Sequence, residues 1–182
     1  TTGLPWVRAK VAASMDGRTG LSNGESQWIT GAEARQDGHR WRARACAVLT
    51  GSGTIKYANP QMTVRGVATT LPLRQPLRIV FDHLGELSPA AKVLQGGALV
   101  YCAERKPADL PSNVEVVQLP DAAQPGKIDL AAALQDIGAR GVNELHVEAG
   151  ARLSGPMVVA GLVDELLIYL APKLLGRDAR EM

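Results

Sequence analysis

Short runs rich in β-branched and aliphatic residues recur along this chain, and they constrain its fold more than any other feature. They cover Trp6–Ala13, Cys46–Thr50, Leu77–Asp82, Ala98–Cys102, Val114–Leu119, Asn143–Val147 and Val163–Ala171. Most are continuously apolar where a half-exposed strand would alternate, the pattern of strands covered on both faces. Helical patterns fall between several of them. Thr30-Gly-Ala-Glu33 puts Thr at an N-cap and Glu at N3, a capping box that predicts a helix through about Arg44. Asp129 can cap Leu130–Ile137, closed at Gly138 or at Arg140-Gly141, and Ser154 can cap a short helix with Pro156 in its first turn, closed by Gly161. Strand–helix–strand alternation predicts an α/β fold with a mainly parallel sheet. The stretches Gly66–Pro76 and Pro120–Gly126 read as surface loops, and no internal repeat or low-complexity tract interrupts the pattern.

At 182 residues the chain is expected to form one domain, large enough for a core without staples. Apolar residues make up 46% of it but aromatics only 4%, so that core must be built from Leu, Val, Ile and Ala. Cys46 and Cys102 sit inside apolar runs and read as buried free thiols, with no disulfide framework or Cys-x-x-Cys metal site. The opening Thr-Thr-Gly-Leu-Pro-Trp does not read as a signal peptide, and no apolar stretch reaches the length of a membrane span. A cytoplasmic protein without a membrane or nucleic-acid partner is the expectation. The net charge of +2 is small, but residues 1–65 hold nine Lys/Arg against four Asp/Glu while the remainder holds 11 against 14. An anionic ligand would be sought in the basic first third.

Ligands of open α/β sheets sit beyond the carboxyl ends of strands, and three such ends stand out. The first carries Lys10-Val-Ala-Ala-Ser-Met-Asp-Gly-Arg-Thr19 and then Asn23-Gly-Glu-Ser-Gln-Trp-Ile-Thr30. Lys10 lies in an otherwise apolar strand, so its ammonium either escapes at an edge or meets an anion. Trp28 fits the core, or the border of a flat cofactor ring. The second is Thr50-Gly-Ser-Gly-Thr54, small residues that let backbone N–H groups approach a phosphate, although neither P-loop nor Gly-x-Gly-x-x-Gly spacing is present. The third is His146-Val-Glu-Ala-Gly-Ala-Arg-Leu-Ser-Gly-Pro156. There a strand end bearing Glu148 passes through a small-residue turn into a helix start, a seat for pyrophosphate or simply a structural turn. Of Arg35, Arg40, Arg42 and Arg44 on the first helix, one turned inward would suffice for bidentate phosphate binding.

Taken in order, Lys10-Val-Ala-Ala-Ser-Met-Asp-Gly-Arg-Thr, Gly24-Glu-Ser-Gln-Trp-Ile-Thr, Ala47-Val-Leu-Thr-Gly-Ser-Gly-Thr, Val147-Glu-Ala-Gly-Ala-Arg-Leu and Gly161-Leu-Val-Asp-Glu-Leu with Ala171-Pro-Lys-Leu-Leu-Gly form a pattern. It resembles the reductase domain of the bacterial deaminase-reductases of riboflavin biosynthesis, through nearly the whole chain. The resemblance implies a dihydrofolate-reductase-like fold, a twisted and mainly parallel sheet flanked by helices. It also implies NADPH-dependent reduction of 5-amino-6-(5-phosphoribosylamino)uracil to its ribitylamino counterpart, with hydride delivered to C1′ of the ring-opened imine. Ser26, Thr30, Arg42, Met62 (largely through its backbone), Arg65 and Glu148 would hold the substrate, the two arginines gripping its phosphate. Ala12, Trp28, Thr54 and His83 would line the cofactor site, joined around the pyrophosphate by Gly150, Ala151, Arg152, Leu153, Ser154, Gly155 and Pro156. Lys10 and Glu148 would be the catalytic pair, Lys10 in an electrostatic or proton-donating role. No metal is implied. A homodimer through the sheet region is, together with a deaminase domain fused N-terminally in the full-length protein.

Three departures bear on these expectations. Tyr57-Ala58-Asn59-Pro60 stands where the family has Ala-Asp-Asp-Pro; Ala58 cannot supply the carboxylate, and Asn59 could replace only its hydrogen bonding. His83 replaces the usual Ser after Asp82, and a cationic ring there would favour the 2′-phosphate of NADPH. The family continues past Arg180 into a closing strand segment, which a chain ending at Met182 is expected to lack. No His-x-Glu with a downstream Pro-Cys-x-x-Cys occurs, so these residues hold no deaminase zinc site. Two other readings remain: a reductase of the same fold acting on another substrate such as a pterin, and a non-catalytic nucleotide-binding domain, which the missing Asp at position 58 would allow.

Overall fold

The computed structural model describes residues 3–23, 28–68 and 72–181. Each apolar run becomes a strand: β1 (Trp6–Ser14), β3 (Ala47–Gly51), β4 (Leu77–Asp82), β5 (Ala98–Cys102), β6 (Val114–Gln118), β7 (Glu144–Val147) and β8 (Glu165–Ala171). They form one sheet in the order β6-β5-β4-β3-β7-β1-β8, and every neighbouring pair runs parallel. The expected α/β fold with a mainly parallel sheet is what forms. Two short strands, β2 (Arg18–Gly20) and β9 (Arg180–Glu181), pair antiparallel beside it. Among the described residues there are four α-helices: α1 (Ala32–Arg44), α2 (Ser52–Ala58), α3 (Leu130–Ala139) and α4 (Ala151–Val159).

Strand register sorts the side chains into two unlike faces, because neighbours in register point the same way. On one face Val7, Ala9, Ala47, Leu49, Ile79, Phe81, Leu99, Tyr101, Leu145 and Val147 join Ala133, Leu134 and Ile137 of α3 and Leu153 and Met157 of α4 in a single apolar cluster. The other face is divided. Over β3, β4 and β5 it is apolar, with Val48, Val80 and Val100 packed against Ile55 of α2 and against Leu87, Val93 and Leu94. Over β7, β1 and β8 Arg8 stands in register with His146 and Glu165, Lys10 with Leu167 and Ala12 with Tyr169. That half lies on the side of α1, a helix with no buried residue of its own. Here polar and charged side chains take most of the positions that hydrocarbon fills on the other half.

Several local expectations are corrected. The capping box does not form: Gly31 is the N-cap of α1 and no side chain caps it, so Thr30 contributes only its carbonyl, which accepts from Arg35 Nη1 at 2.8 Å. Asp129 caps α3 as expected, accepting from Ala132 N–H at 2.9 Å. Ser154 does not cap α4, which starts three residues earlier behind Gly150; the Ser154 hydroxyl instead donates to Ala149 O from inside the helix. Thr50–Thr54 is not a loop, since β3 runs to Gly51 and α2 begins at once at Ser52. β8 is an edge strand and is not covered on both faces: Leu166, Ile168 and Leu170 are exposed, alternating with half-buried neighbours. Cys102 is buried as expected, whereas Cys46 is only half-buried.

Beyond the sheet, the Asp16 carboxylate accepts from the Ser14 hydroxyl and from the Leu175 and Gly176 N–H groups, and these bonds hold its pKa down to about 2. This contact ties the loop after β8 to the end of β1.

Gly138 shows how tightly the other end is closed. It lies in α3, where alanine would ordinarily be favoured by about 1 kcal/mol. A Cβ at this position would collide with the Gly3 carbonyl and stand 3.3 Å from Leu4 Cα. Gly138→Ala is therefore expected to lower the midpoint of thermal unfolding, read by circular dichroism. A raised midpoint would mean that residues 3–4 do not cross the helix there.

Candidate functional site

Parallel pairing brings the carboxyl ends of β3 and β7 to the same level. Glu148 N–H donates to Leu49 O at 2.8 Å, and Thr50 Oγ1 donates to Glu148 O at 2.8 Å, so the residue after β7 is fixed by its backbone on both sides. Its side chain reaches toward α1. Arg42 donates to Glu148 Oε1 through Nε at 2.8 Å, with Nη2 in ion-pair contact at 2.7 Å from the same oxygen, while its Nη1 donates to Thr63 O at 2.6 Å. Both side chains are largely buried, at 11% and 17% exposure. Burial pushes the Glu148 carboxyl up, but Arg42 and then Lys10 outweigh it and hold the group below its usual range. Among the described residues no donor reaches Oε2, and the carboxylate is held through Oε1.

Lys10 sits on interior strand β1 and therefore has no edge to escape by. Its Nζ lies 5.7 Å from the centre of the Tyr169 ring, whose hydroxyl donates to Asp37 of α1 at 2.6 Å. It makes no ion pair among the described residues and acts on Glu148 through space.

Arg65 is brought beside α1 by its backbone N–H, which donates to His39 Nδ1 at 3.3 Å; its exposed guanidinium donates to Gln61 Oε1 and makes no ion pair among the described residues. Met62 between these contacts is buried, yet its φ is 55°, a left-handed conformation costing on the order of 1–3 kcal/mol for such a residue. Its own N–H and C=O have no partner among the described residues, as a backbone contact to a ligand would require.

The expected cofactor residues fall into two groups. Gly150 caps α4 with no side chain over the helix end, and the first bonded N–H groups are those of Leu153 and Ser154 to Gly150 O, which leaves Ala151 and Arg152 N–H open. A Cβ on Gly150 would meet nothing within 4 Å. This bare, positive helix end fits a pyrophosphate. Gly51, at the start of α2, lies against the Leu153 side chain, so the two helix starts are neighbours, and Thr54 is half-buried in the first turn of α2. Leu153 itself is core, available to a ligand only through its backbone. Gly155 and Pro156 lie further along α4, with Pro156 inside the helix.

The remaining expected residues are more scattered. Ala12 is half-buried opposite Tyr169. Trp28 is not core: it is exposed, with the Arg35 guanidinium 4.3 Å from its ring centre and its carbonyl bonded to Lys173 Nζ. Ser26 falls outside the described residues. His83 Nδ1 accepts from Ile128 N–H at 3.0 Å, which a protonated ring could not do, and burial with Lys127 pushes its pKa down. The expected cation at His83 is thus corrected to a neutral ring. Asn59 does not stand in for the missing acid, because its Oδ1 accepts from Lys92 N–H at 2.9 Å.

The sequence reading missed His39, Thr63 and His146. Only His146 left a local signal, two residues before Glu148 and hence on the same face of its strand.

The family model for the RibD C-terminal domain matches residues 5–182. The riboflavin biosynthesis protein RibD of Escherichia coli (strain K12) is 38% identical over 98% of this chain and 51% of its own length. The solved structure of RibD from Acinetobacter baumannii superposes with a TM-score of 0.85 at 40% identity, over 100% of this chain and 50% of that one. A 5-amino-6-(5-phosphoribosylamino)uracil reductase of Buchnera aphidicola subsp. Acyrthosiphon pisum is 29% identical over 89% of this chain and 83% of its own length. The chain thus spans about half the length of the RibD proteins it matches.

The Arg42–Glu148 pair generates a test of its own. Because the Glu148 carboxyl lies below its ordinary 4.5, the pair contributes stability in full above about pH 4.5 and loses it as pH falls through the folded value. Arg42→Ala strands a largely buried carboxylate. It should cost about 3 kcal/mol at pH 7 by urea unfolding and shrink the loss of stability between pH 5 and 3. An unchanged acid limb would mean that Glu148 is not held by Arg42.

Proposed function

The chain belongs to the RibD C-terminal domain family and has its dihydrofolate-reductase-like fold, and from that membership we propose that it is a single reductase domain that converts 5-amino-6-(5-phosphoribosylamino)uracil to its ribitylamino counterpart. The observation that carries this reading is the meeting of two anion-competent places over the strand ends. Arg42 and Arg65 flank His39 and Thr63 on one side, and the bare start of α4 lies two residues beyond Glu148 on the other. A phosphorylated substrate and a pyrophosphate-bearing cofactor would lie side by side there.

In this reading Arg65, which makes no ion pair among the described residues, and Arg42 hold the substrate phosphate, and Oε2 of Glu148 takes a polar group of the substrate. The Met62 backbone, Thr30 and Ser26 border the same ligand. NADPH bound along Gly150–Arg152, with Thr54, Ala12, Trp28 and His83 around it, would supply the hydride to C1′ of the ring-opened imine. Lys10, an ammonium with no ion pair among the described residues, stabilises negative charge or donates the proton that the opened sugar needs. Holding both reactants in one cleft supplies much of the acceleration. The exposed Leu166, Ile168 and Leu170 on edge strand β8 support a homodimer through this end of the sheet. In a protein twice this length the other half would carry the deaminase. No helix of the described residues is long and apolar enough to cross a membrane, in keeping with a cytoplasmic enzyme.

The test is NADPH oxidation on adding the phosphoribosylaminouracil, with ribose 5-phosphate as competitor. Arg65→Ala removes a charge-assisted contact of about 1.5–3 kcal/mol and should raise KM about 10- to 100-fold. Glu148→Gln should lower kcat more than it weakens NADPH binding. Binding of NADPH without turnover would favour a nucleotide-binding domain, and turnover of a pterin without competition by ribose 5-phosphate would favour the other reductase reading.

A further inference from the structure

His146 is the one residue of this site whose chemistry nothing above uses. It lies on β7 with its side chain fully buried, beside Val48 of β3 on one flank and Arg8 of β1 on the other. Neither ring nitrogen has a hydrogen-bond partner among the described residues, yet Nε2 stands 3.5 Å from Glu148 Oε1. An apolar side chain would fill this position, as Val48 does next to it, without leaving a buried polar group unmet. The groups that face the ring are Glu148 on its own strand, Arg42 on α1, and Lys10 and Arg8 on β1; His39 of α1 stands close to the same carboxylate and to Arg42. Burial pushes the His146 pKa down to about 4, against the pull of Glu148, so the ring is neutral at physiological pH and carries a single N–H. A lone pair on Nε2 would repel the carboxylate, which favours the tautomer with hydrogen on Nε2.

In the free chain Glu148 Oε1 accepts from Arg42 Nε with Nη2 beside it, and one Nη1–H of Arg42 is spent on Thr63 O. One N–H each on Nη1 and Nη2 remains for a phosphate, and a dianion held there competes with Glu148 for the same cation. Where that competition draws the fork off Oε1, Glu148 without a substitute is a largely buried carboxylate with no direct donor. We infer that His146 is a positioning residue: its neutral Nε2–H takes over Glu148 Oε1 when a ligand phosphate draws the Arg42 guanidinium away, so that Oε2 stays presented to the substrate. Closing 3.5 Å to an ordinary hydrogen bond needs a shift of only about 0.6 Å. The inference rests on the reading in which Arg42 binds phosphate.

Nitrogen NMR of the ¹⁵N-labelled chain, titrated with inorganic phosphate and then with ribose 5-phosphate, tests it without reference to activity. The expected spectrum has His146 neutral and protonated on Nε2, with that signal shifting in step with Arg42 Nε–H as phosphate is added. Phosphate that moves Arg42 but not His146, or a ring protonated on Nδ1, overturns the inference and leaves the Arg42 reading standing. Phosphate that moves neither overturns both. In turnover, His146→Leu should lower kcat about tenfold with KM within about twofold, and should shift the acid limb of the pH profile upward as Glu148 loses a donor. His146→Gln, a neutral donor, should restore both. A leucine variant with the wild-type kcat and pH profile would also overturn it.

Discussion

The ion pair between Arg42 and Glu148 is the contact on which the candidate site depends. It joins the one helix that buries no side chain of its own to the end of a central strand. Through Nη1 it also holds the segment that carries Met62 and Arg65. A largely buried pair is weak evidence for stability, since its desolvation cost rivals its attraction. Its value here is geometric. It sets α1 over the charged half of the sheet, fixes one oxygen of Glu148 and places two arginines on one side of the cleft. The backbone bonds of Glu148 and Thr50 then set that cleft against the bare start of α4.

The division of one sheet face into an apolar half and a charged half follows from strand order. β7 enters between β3 and β1, so His146 falls in register between Val48 and Arg8, at the boundary. On the α2 side Val48, Val80 and Val100 meet hydrocarbon. On the α1 side Glu148 meets Arg42 and Tyr169 meets Asp37, with His146 beside Glu148 and Lys10 near the Tyr169 ring. Burial lowers the dielectric around these charges, and that strengthens their action on one another and on any ligand that enters.

The strands were legible in the sequence because continuous apolar runs report burial directly. Leu77–Asp82 and Ala98–Cys102 form as read, and the others differ by a residue or two at their ends. Val163–Ala171 misled, since an apolar run says nothing about whether a neighbour covers its second face. Helix starts were read less well. Thr30 and Ser154 have capping chemistry, but glycines 31 and 150, both in extended conformation, take the cap positions. In the site, Glu148 was visible as a carboxylate at a strand end. The partners that give it meaning, Arg42 and Lys10, come from elements distant in sequence. Trp28, His83 and Asn59 show the converse: residue types suited to a ligand whose described contacts are with neighbouring protein groups, Arg35, Ile128 and Lys92.

The central claim is that two phosphorylated ligands meet over the ends of β3 and β7. A crystal of the chain soaked with NADPH and ribose 5-phosphate measures it most directly. The account predicts pyrophosphate oxygens on the Ala151 and Arg152 N–H groups and the sugar phosphate on the Arg42 and Arg65 guanidiniums, with the Glu148 carboxylate between the two ligands. Sugar phosphate bound away from both arginines, or a cofactor that leaves the start of α4 bare, would contradict it.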